Sequence, residues 1–572
     1  MKNSGTPHHQ MVTRRQALKG ISAGAGFSIL GSCTTLSNSA KTTFAEFQSG
    51  VASGDPTKTS FVIWTRALPA NGNNIANVGF DIAKDTNFDA VIRSGKIQTT
   101  ADRDFTVKVD ITGLEPGTTY FYRFTGGENV STTGRARTLP NNDVRSIKFA
   151  LASCANFPSG FYNAYREISK IEGLDAVVHV GDYIYEYAAD GYDSKTGEAL
   201  GRLHKPAHEI VTLSDYRERF AQYRSDPDLQ AAHANAPFIT IWDDHETANN
   251  SWSGGSSNHH EDAEGKWETR RDAALRAYFE WMPMRDPVAG SAAERLNRTY
   301  DFGDIASLLV IETRLTGRNE PLSYSRDLPM KNGEPDIELF RNDVLGAPSR
   351  TMMGAAQEKW LEGALKESRD RGAAWQILGN QTVMARMNTP NFMKLLPPKM
   401  LNDSMSKGGY TAMWLERSQL GLPVSLDSWD GYPAARERLY DSVKATNANL
   451  VVLSGDSHMF WANNLHSAKD ESQIGIEFGT GGITSPGGYE MLSDDPAIFE
   501  IAAKGVIAQN SDVAHANVHD HGFVVVTASK SEIKADYIKV STTQSQDYET
   551  TKFLTVQSHL TPQGPSTLVK TE

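Results

Sequence analysis

The chain has 572 residues, and 57 basic residues against 69 acidic ones give it a formal charge of −12. Its composition, 39% hydrophobic and 22% charged, is typical of a globular protein with a large core and excludes disordered, collagen-like and multi-span membrane classes. Two cysteines, Cys33 and Cys154, are too few for a disulfide framework. The net negative charge disfavours nonspecific binding of nucleic acid, so we expect no nucleic-acid partner.

Residues 1–40 have the pattern of an export signal. A basic segment without acidic residues precedes an apolar stretch, Gly20 to Leu30, that is too short to span a bilayer. The segment Thr13 to Leu18 contains Arg14 and Arg15 and resembles the twin-arginine signal. It predicts export of the folded chain by the twin-arginine machinery to the periplasm or the extracellular space. A disordered basic tail is the alternative interpretation.

Cys33 has a use that is neither catalytic nor structural. Leu30-Gly31-Ser32-Cys33 resembles a bacterial lipobox, whose cysteine is acylated and anchors the mature protein at the cell surface. Cleavage at a small-residue site near Ser39 or Ala40 is the competing interpretation. In either case the membrane is reached only through the leader or the lipid anchor.

Residues 45–140 are predicted to form a small β-sandwich domain. Strand-length segments at 61–65, 105–111 and 119–124 alternate or run apolar and are separated by turns. The segment Leu114 to Tyr120 resembles the tyrosine corner of fibronectin-type sandwiches, in which a Tyr hydroxyl binds an upstream backbone group. Residues 139–143 are rich in turn residues and predict the domain boundary.

Residues 146–545 are predicted to form a layered α/β domain. Strands alternate there with amphipathic helices at 214–224, 267–281, 355–366 and 434–444. Residues 546–572 are expected to be a C-terminal tail, and we expect the protein to be a monomer.

Four apolar strands in this domain are each followed at once by residues suited to metal binding or catalysis. The predicted strands cover residues 147–152, 176–180, 238–242 and 450–454. The residues that follow them are Ser153 and Cys154; Asp182, Tyr185 and Glu186; Asp243, Asp244, His245, Glu246, Asn249 and Asn250; and Asp456 and His458. Because the carboxyl ends of strands in open α/β sheets assemble binding sites, we expect these segments to converge.

Such a set of side chains is typical of a metallophosphoesterase. Carboxylates, amides, imidazole, one phenol and one thiol are oxygen-rich metal ligands with softer ones added. Two or three cations within about 4 Å can clamp a phosphoryl group and acidify a bound water. Asp182 is the natural bridging ligand, and Tyr185 would bind as a phenolate only to a strong Lewis acid such as ferric iron. Taken singly, each segment could instead be a turn or a helix cap, and Cys154 a small buried hydrophobe.

These segments resemble those of the PhoD-type alkaline phosphatases, a family of the metallophosphatase superfamily, over residues 47–530. Further matching segments are Gly50 to Pro56, Leu378 to Gln381 and Trp429 to Tyr432. The resemblance implies an α/β fold with a four-layer αββα sandwich core, preceded by a small fibronectin- or Ig-like β-sandwich domain. It also implies a ferric ion and two calcium ions as cofactors.

Carried over position by position, the resemblance implies roles for individual residues. The implied metal ligands are Cys154, Asp182, Tyr185, Asp243, Asp244, Asn250, Asp427, Asp430, Asp456 and His458. Asp182, His245 and His458 are implied to be catalytic, and His245 and Asn380 to bind substrate. Ser153 lies beside the cysteine ligand, but no base that would make it a nucleophile is evident.

Two further segments lie near the predicted site. The glycine-rich stretch 479–486 lacks the Gly-Lys-Ser/Thr of a nucleotide P-loop and is interpreted as a tight active-site turn. His515, His519 and His521 precede a strand, and we interpret them as surface or core histidines rather than as ligands.

The predicted function is that of a secreted, metal-dependent alkaline phosphatase or phosphodiesterase. It would hydrolyse phosphate mono- or diesters through a metal-activated hydroxide, for phosphate acquisition. A phospholipase D-like phosphodiesterase acting on phospholipids is the alternative, followed by a non-catalytic surface binding lipoprotein. A redox enzyme fits poorly, because thiolate, phenolate and carboxylate ligands hold iron in the ferric state.

Overall fold

The computed structural model describes residues 44–70, 72–288, 292, 295–492 and 495–571. The predicted leader, with its twin-arginine pattern and Cys33, lies outside the described residues. Within the described part of the chain, no helix has the length and apolar character needed to cross a membrane.

The N-terminal region forms the predicted β-sandwich. One sheet contains Ile75–Ala83, Val91–Thr100, Thr119–Gly126, Asn129–Val130 and Gly134–Arg137, and the facing strands are Val51–Gly54, Ser60–Arg66 and Thr106–Thr112. Alternate residues of the two sheets, including Ile63, Val78 and Phe124, form one buried cluster. The Tyr120 hydroxyl accepts a 2.9 Å hydrogen bond from the backbone N–H of Glu115, which confirms the tyrosine corner.

One sheet of this sandwich continues into the core of the molecule. Gly54, at the end of its strand, pairs with Phe238 of the core strand Phe238–Thr240. A Cβ atom at Gly54 would collide with the carbonyl oxygens of Phe238 and Pro283, so the two backbones meet there only because the residue is glycine. The sandwich and the core therefore share one long sheet.

The core consists of two sheets packed face to face. The first contains Ile147–Ala152, Ala176–His179, Phe238–Thr240, His521–Ala528, Glu532–Val540 and Thr550–Thr561. The second contains Arg298–Phe302, Ala306–Val310, Trp375–Gly379, Leu450–Ser454, Phe460–His466, Gln473–Gly479 and Val513–Asn517. Ile377 and Val451 of the second sheet share a buried cluster with Phe149 of the first. Their neighbours Leu378 and Val452 belong to a separate cluster, which they form with helical residues.

Helices cover the outer faces, so the four-layer αββα core is confirmed. The helices of the described residues, including short ones in the connecting loops, are Asn163–Ser169, Ser194–Leu200, Leu213–Tyr223, Pro227–Asn235, Glu261–Glu264, Trp267–Trp281, Tyr324–Asp327, Ile337–Leu339, Ala355–Asp370, Phe392–Leu395, Pro398–Ser406, Gly409–Arg417, Pro433–Thr446 and Pro496–Gln509. The four amphipathic helices predicted from the sequence are all present. A capping box between Thr212 and Asp215 fixes the start of Leu213–Tyr223.

The structure contradicts the prediction that residues 546–572 form a tail, because strands of this segment belong to the first core sheet. Thr550–Thr561 pairs antiparallel with Glu532–Val540, and Val569–Thr571 pairs with it on the far side. Within this strand only Thr555, Val556 and Ser558 are buried. Its remaining threonine and glutamine side chains are polar, which is why the sequence resembles a solvated tail.

Asp55 connects the N-terminal region to the core through hydrogen bonds and an ion pair. Its carboxylate accepts hydrogen bonds from the Tyr300 hydroxyl at 2.9 Å and the Arg285 backbone N–H at 3.0 Å, and it pairs with Arg298 at 2.6 Å. Burial by itself would raise the pKa of Asp55, but Arg298 and Arg285 outweigh it and hold the pKa below the usual value.

We expect Asp55→Asn to lower the free energy of unfolding at pH 7 by about 2 kcal/mol, because the amide cannot form the ion pair. The folded-state pKa is depressed, so this contribution is present at neutral pH and disappears only as the pH falls below about 4. Urea unfolding of both proteins at about pH 7 and pH 3 measures it. Equal stability at neutral pH would contradict the assigned role.

Candidate active site

The carboxyl ends of the parallel strands carry the predicted residues to one edge of the core. Three groups of residues there have ligand atoms within 4.8 Å of one another. The groups are Cys154, Asp182 and His458; Asp182, Asp244 and His245; and Asp182, Asp243, Asp244 and Asp456. Asp182 belongs to all three, so it lies at the centre of the cluster.

The backbone is strained where it delivers these side chains. Cys154 has φ 61°, Asp182 56°, Asp456 62° and His458 59°, all in the left-handed region that non-glycine residues seldom adopt. Such conformations cost roughly 1 kcal/mol or more each and concentrate at functional sites. Their coincidence at three strand ends indicates a site rather than a set of ordinary turns.

Two carboxylate oxygens in the cluster are left without a partner. Asp182 Oδ1 and Asp243 Oδ2 are buried and have no hydrogen-bond partner among the described residues. Burial raises the pKa of the Asp182 carboxyl well above its usual range despite the opposing charge of His245, and Asp244 adds to the increase. Buried carboxylate oxygens without partners are costly, so these two fit cation ligands.

Tyr185 and Cys154 provide the softer donors. The Tyr185 hydroxyl lies 3.1 Å from Asp182 Oδ2 and 3.3 Å from His458 Nε2, and it accepts a 2.7 Å hydrogen bond from Ser485. Burial, with Asp182 nearby, raises the pKa of both the phenol and the thiol well above their usual values. Neither group ionises in this surrounding unless a cation compensates the charge.

The glycine-rich stretch holds this part of the site in place. The backbone N–H groups of Thr484 and Ser485 donate to the carbonyl oxygen of Cys154 at 3.3 and 3.2 Å, and that of Ile483 donates to Ser153 at 3.0 Å. The stretch therefore packs behind the cysteine as an active-site turn. His515, His519 and His521 belong to none of the three ligand groups.

His245 is fixed by Glu186. Its Nδ1 lies 2.7 Å from Glu186 Oε2, and its ring stacks on Tyr185 with centroids 4.2 Å apart. Burial by itself would lower the pKa of His245, but Asp244, Glu186 and Asp182 outweigh it and hold the pKa well above its usual value. The neighbouring carboxylates therefore favour the protonated ring, and Nε2 is left for a ligand or a proton transfer.

Comparison with known proteins identifies the chain. A family model described as PhoD-like phosphatase matches residues 149–537, and the model of that family's N-terminal domain matches residues 33–140. The chain belongs to the PhoD-like phosphatase family. The predicted family, the phosphoric ester hydrolase activity and the metal-binding character of the site are thereby confirmed.

Two relatives of this PhoD-like phosphatase are similar along most of its length. Alkaline phosphatase D of Bacillus subtilis (strain 168) is 37% identical over 507 residues, which cover 86% of this chain and 77% of that protein. A solved structure described as the structure of PhoD superposes with a TM-score of 0.74 at 32% identity and covers 92% of both chains.

Two arginines of this PhoD-like phosphatase were missed by the sequence prediction. The fully buried Arg314 pairs with Asp243 and with Asp456 at 3.0 Å, and both Arg314 and Arg318 pair with Asp427. A signal was available, because Arg314 follows the strand Ala306–Val310 just as the predicted ligands follow theirs. Because arginine does not bind metal ions, the prediction of metal ligands did not include it.

Three glutamates orient the strand ends. The sequence prediction placed Glu186 and Glu246 among the strand-end residues but gave neither a specific role, and it missed Glu312. Glu246 accepts hydrogen bonds from the backbone N–H groups of Asp182 at 3.0 Å, Tyr183 at 2.7 Å and Asp243 at 2.8 Å. Glu312 does the same for Arg314, at 2.7 Å. Glu186 accepts from His245 and from the N–H of Asn249 at 2.7 Å.

Four other predicted residues have protein partners. Two of them, Asp427 and Asp430, belong to none of the ligand groups found among the described residues. Asp427 is neutralised by its two arginines, and Asp430 pairs with Arg436 at 2.6 Å. The Asn250 backbone N–H donates to Asp244 Oδ2 at 2.6 Å. Asn380 is buried and accepts a 3.0 Å hydrogen bond from Trp429. Their predicted ligand and substrate roles stay predictions.

We expect Glu246→Gln to weaken metal binding by about 10- to 100-fold without unfolding the protein. Glutamine has one carbonyl oxygen in place of two carboxylate oxygens, so at least one of the three N–H groups loses its acceptor and the Asp182 and Asp243 turns shift. Calcium titration measures the affinity, and circular dichroism checks the fold. Glu362→Gln, at an exposed helix position, is the control and should bind as the wild type does.

Proposed function

We propose that this chain is an exported hydrolase of phosphate mono- and diesters that holds one ferric ion and two calcium ions in the cluster around Asp182. The proposal rests above all on the three ligand groups that share Asp182, two of whose carboxylates have a buried oxygen without a partner. Export to the periplasm or cell surface is supported by the twin-arginine pattern at Arg14 and Arg15. Cleavage near Ala40 and acylation of Cys33 are two outcomes that the mass of the mature N-terminus separates.

The donor atoms support a division between the two kinds of cation. The group that contains Cys154 and His458, with Tyr185 beside it, combines soft and hard donors and suits ferric iron. The group formed by Asp243, Asp244 and Asp456 offers carboxylates alone and suits calcium. Bound there, the cations would supply Lewis-acid activation of water and neutralise charge on the phosphoryl oxygens.

Three side chains of the site have separate proposed roles. Asp182 lies in every ligand group and is the proposed bridge. His245, charged and oriented by Glu186, is placed to give its Nε2 proton to the departing ester oxygen. Arg314 holds Asp243 and Asp456 in position through ion pairs, so it is a positioning residue.

We expect Asp182→Asn to abolish hydrolysis of bis(p-nitrophenyl) phosphate and to lower iron and calcium content together. The amide removes the charge that all three ligand groups share. Elemental analysis and a hydrolysis assay are run side by side, with Asp370→Asn on an exposed helix end as control. Hydrolysis retained by Asp182→Asn would refute the proposed site.

The visible spectrum tests the metal assignment separately. A ferric ion bound by the Tyr185 phenolate should give a charge-transfer band that Tyr185→Phe removes. A wild-type protein that holds calcium and no iron, or a band that persists in Tyr185→Phe, would contradict the ferric assignment while leaving the hydrolase proposal intact.

We expect His245→Gln to slow hydrolysis in proportion to the basicity of the leaving group. Esters with alkoxide leaving groups need a proton and should lose about 10²-fold or more in kcat, while p-nitrophenyl esters should lose far less. Rates for a series of aryl and alkyl leaving groups measure this slope. An equal loss for all leaving groups would assign His245 to binding rather than to proton transfer.

A further inference from the structure

The cavity over the metal-ligand cluster continues into a second cavity. The first, of about 870 Å³, is lined by Asp456 and His458 and also by Tyr410, Val424 and Ser425. The second, of about 970 Å³, is lined by the same Tyr410, Val424 and Ser425. The two cavities therefore adjoin at these three residues, and the pair, which we call the path, extends from the candidate active site to the exposed Tyr410.

Apolar side chains line the outer part of this path, which we call the apolar groove. Tyr410 and Met413 lie three residues apart on the helix Gly409–Arg417 and so project from one face. Met330, on the short strand Met330–Lys331, lies on the same cavity. Tyr410 is 60%, Met330 62% and Met413 48% exposed. Exposed apolar side chains gathered on one cavity are typical of a binding surface.

The charges on the groove restrict what it can hold. Its lining includes the carboxylates of Glu334 and Glu416, and the Arg417 guanidinium stacks on the Tyr324 ring at 4.4 Å. An anionic extension, such as a second phosphate, would be repelled by the two glutamates. An uncharged apolar group instead gains by removing the exposed methionines and Tyr410 from water.

We propose that the apolar groove binds the retained ester substituent of a phosphodiester substrate, and that this substituent is an uncharged alkyl or aryl group. The inference rests on the proposed function, since it places the phosphate at the cluster. In the reaction, water oxygen bonds to phosphorus, the bond from phosphorus to the leaving ester oxygen breaks, and that oxygen receives a proton. The product is the monoester of the group that occupies the groove.

A series of alkyl p-nitrophenyl phosphates tests this directly. We expect kcat/KM of the wild type to rise by roughly 10²-fold from the methyl to the hexyl ester, as the added methylenes are buried. The rise should lie mainly in KM, because the groove binds ground state and transition state alike. The carboxypentyl ester, of similar length with an anionic end, should fall well below the hexyl ester.

Substitution of the groove locates the effect. Met413→Ser and Met330→Ser should each reduce the hexyl-to-methyl ratio of kcat/KM several-fold, and Val130→Ser, at an exposed apolar position of the N-terminal sandwich, should leave it unchanged. The phenyl ester is added to the series, and its kcat/KM should exceed that of the methyl ester if the groove also binds aryl groups.

The outcomes are distinct for the two proposals. A flat chain-length series, a carboxypentyl ester as good as the hexyl ester, or variants with the wild-type ratio would overturn the groove assignment while the hydrolase proposal stands. If the metal-loaded wild type hydrolyses p-nitrophenyl phosphate but no diester of the series, the groove assignment fails. If it hydrolyses neither, the proposed function fails as well.

Discussion

The concentration of negative charge around Asp182 is the constraint on which the site depends. Two like charges 4 Å apart repel by about 4 kcal/mol at an effective dielectric constant near 20. One oxygen from each of Asp182, Asp243, Asp244 and Asp456 lies within 4.8 Å of the others, so their mutual repulsion is of this order. Arg314 forms ion pairs with Asp243, Asp244 and Asp456, but Asp182 Oδ1 and Asp243 Oδ2 still have no hydrogen-bond partner among the described residues. A site that buries such charge is stable only with further cations, so metal binding and folding of this edge are coupled.

The acidic residues around the cluster have two separate tasks. The aspartates point ligand oxygens into the cluster, whereas Glu246, Glu186 and Glu312 accept backbone and imidazole N–H groups that would otherwise lack acceptors. Glu246 holds the turn in which Asp182 has its left-handed conformation. The positions of the ligand oxygens therefore depend on glutamates that do not belong to the ligand groups themselves.

Reaction chemistry and substrate preference are separated along one path. The polar cluster lies at its inner end, where the two core sheets present their strand ends, and the apolar groove lies at its outer end, on the helix Gly409–Arg417 and the strand Met330–Lys331. These outer elements are insertions between core strands rather than parts of the sheets. They can vary without disturbing the sheets that position the ligands.

The sequence by itself determined the layered α/β class, the tyrosine corner at Tyr120 and the strand-end motifs, because hydrophobic periodicity and turn chemistry are local. It did not reveal the buried Arg314, the backbone contacts of Glu246, or the edge strand Thr550–Thr561, whose polar residues resemble a tail. Pairing between residues far apart in the chain decides each of these. Only the tertiary structure brought Tyr410, Met413 and Met330 onto one groove, since segments about 80 residues apart carry no local record of their proximity.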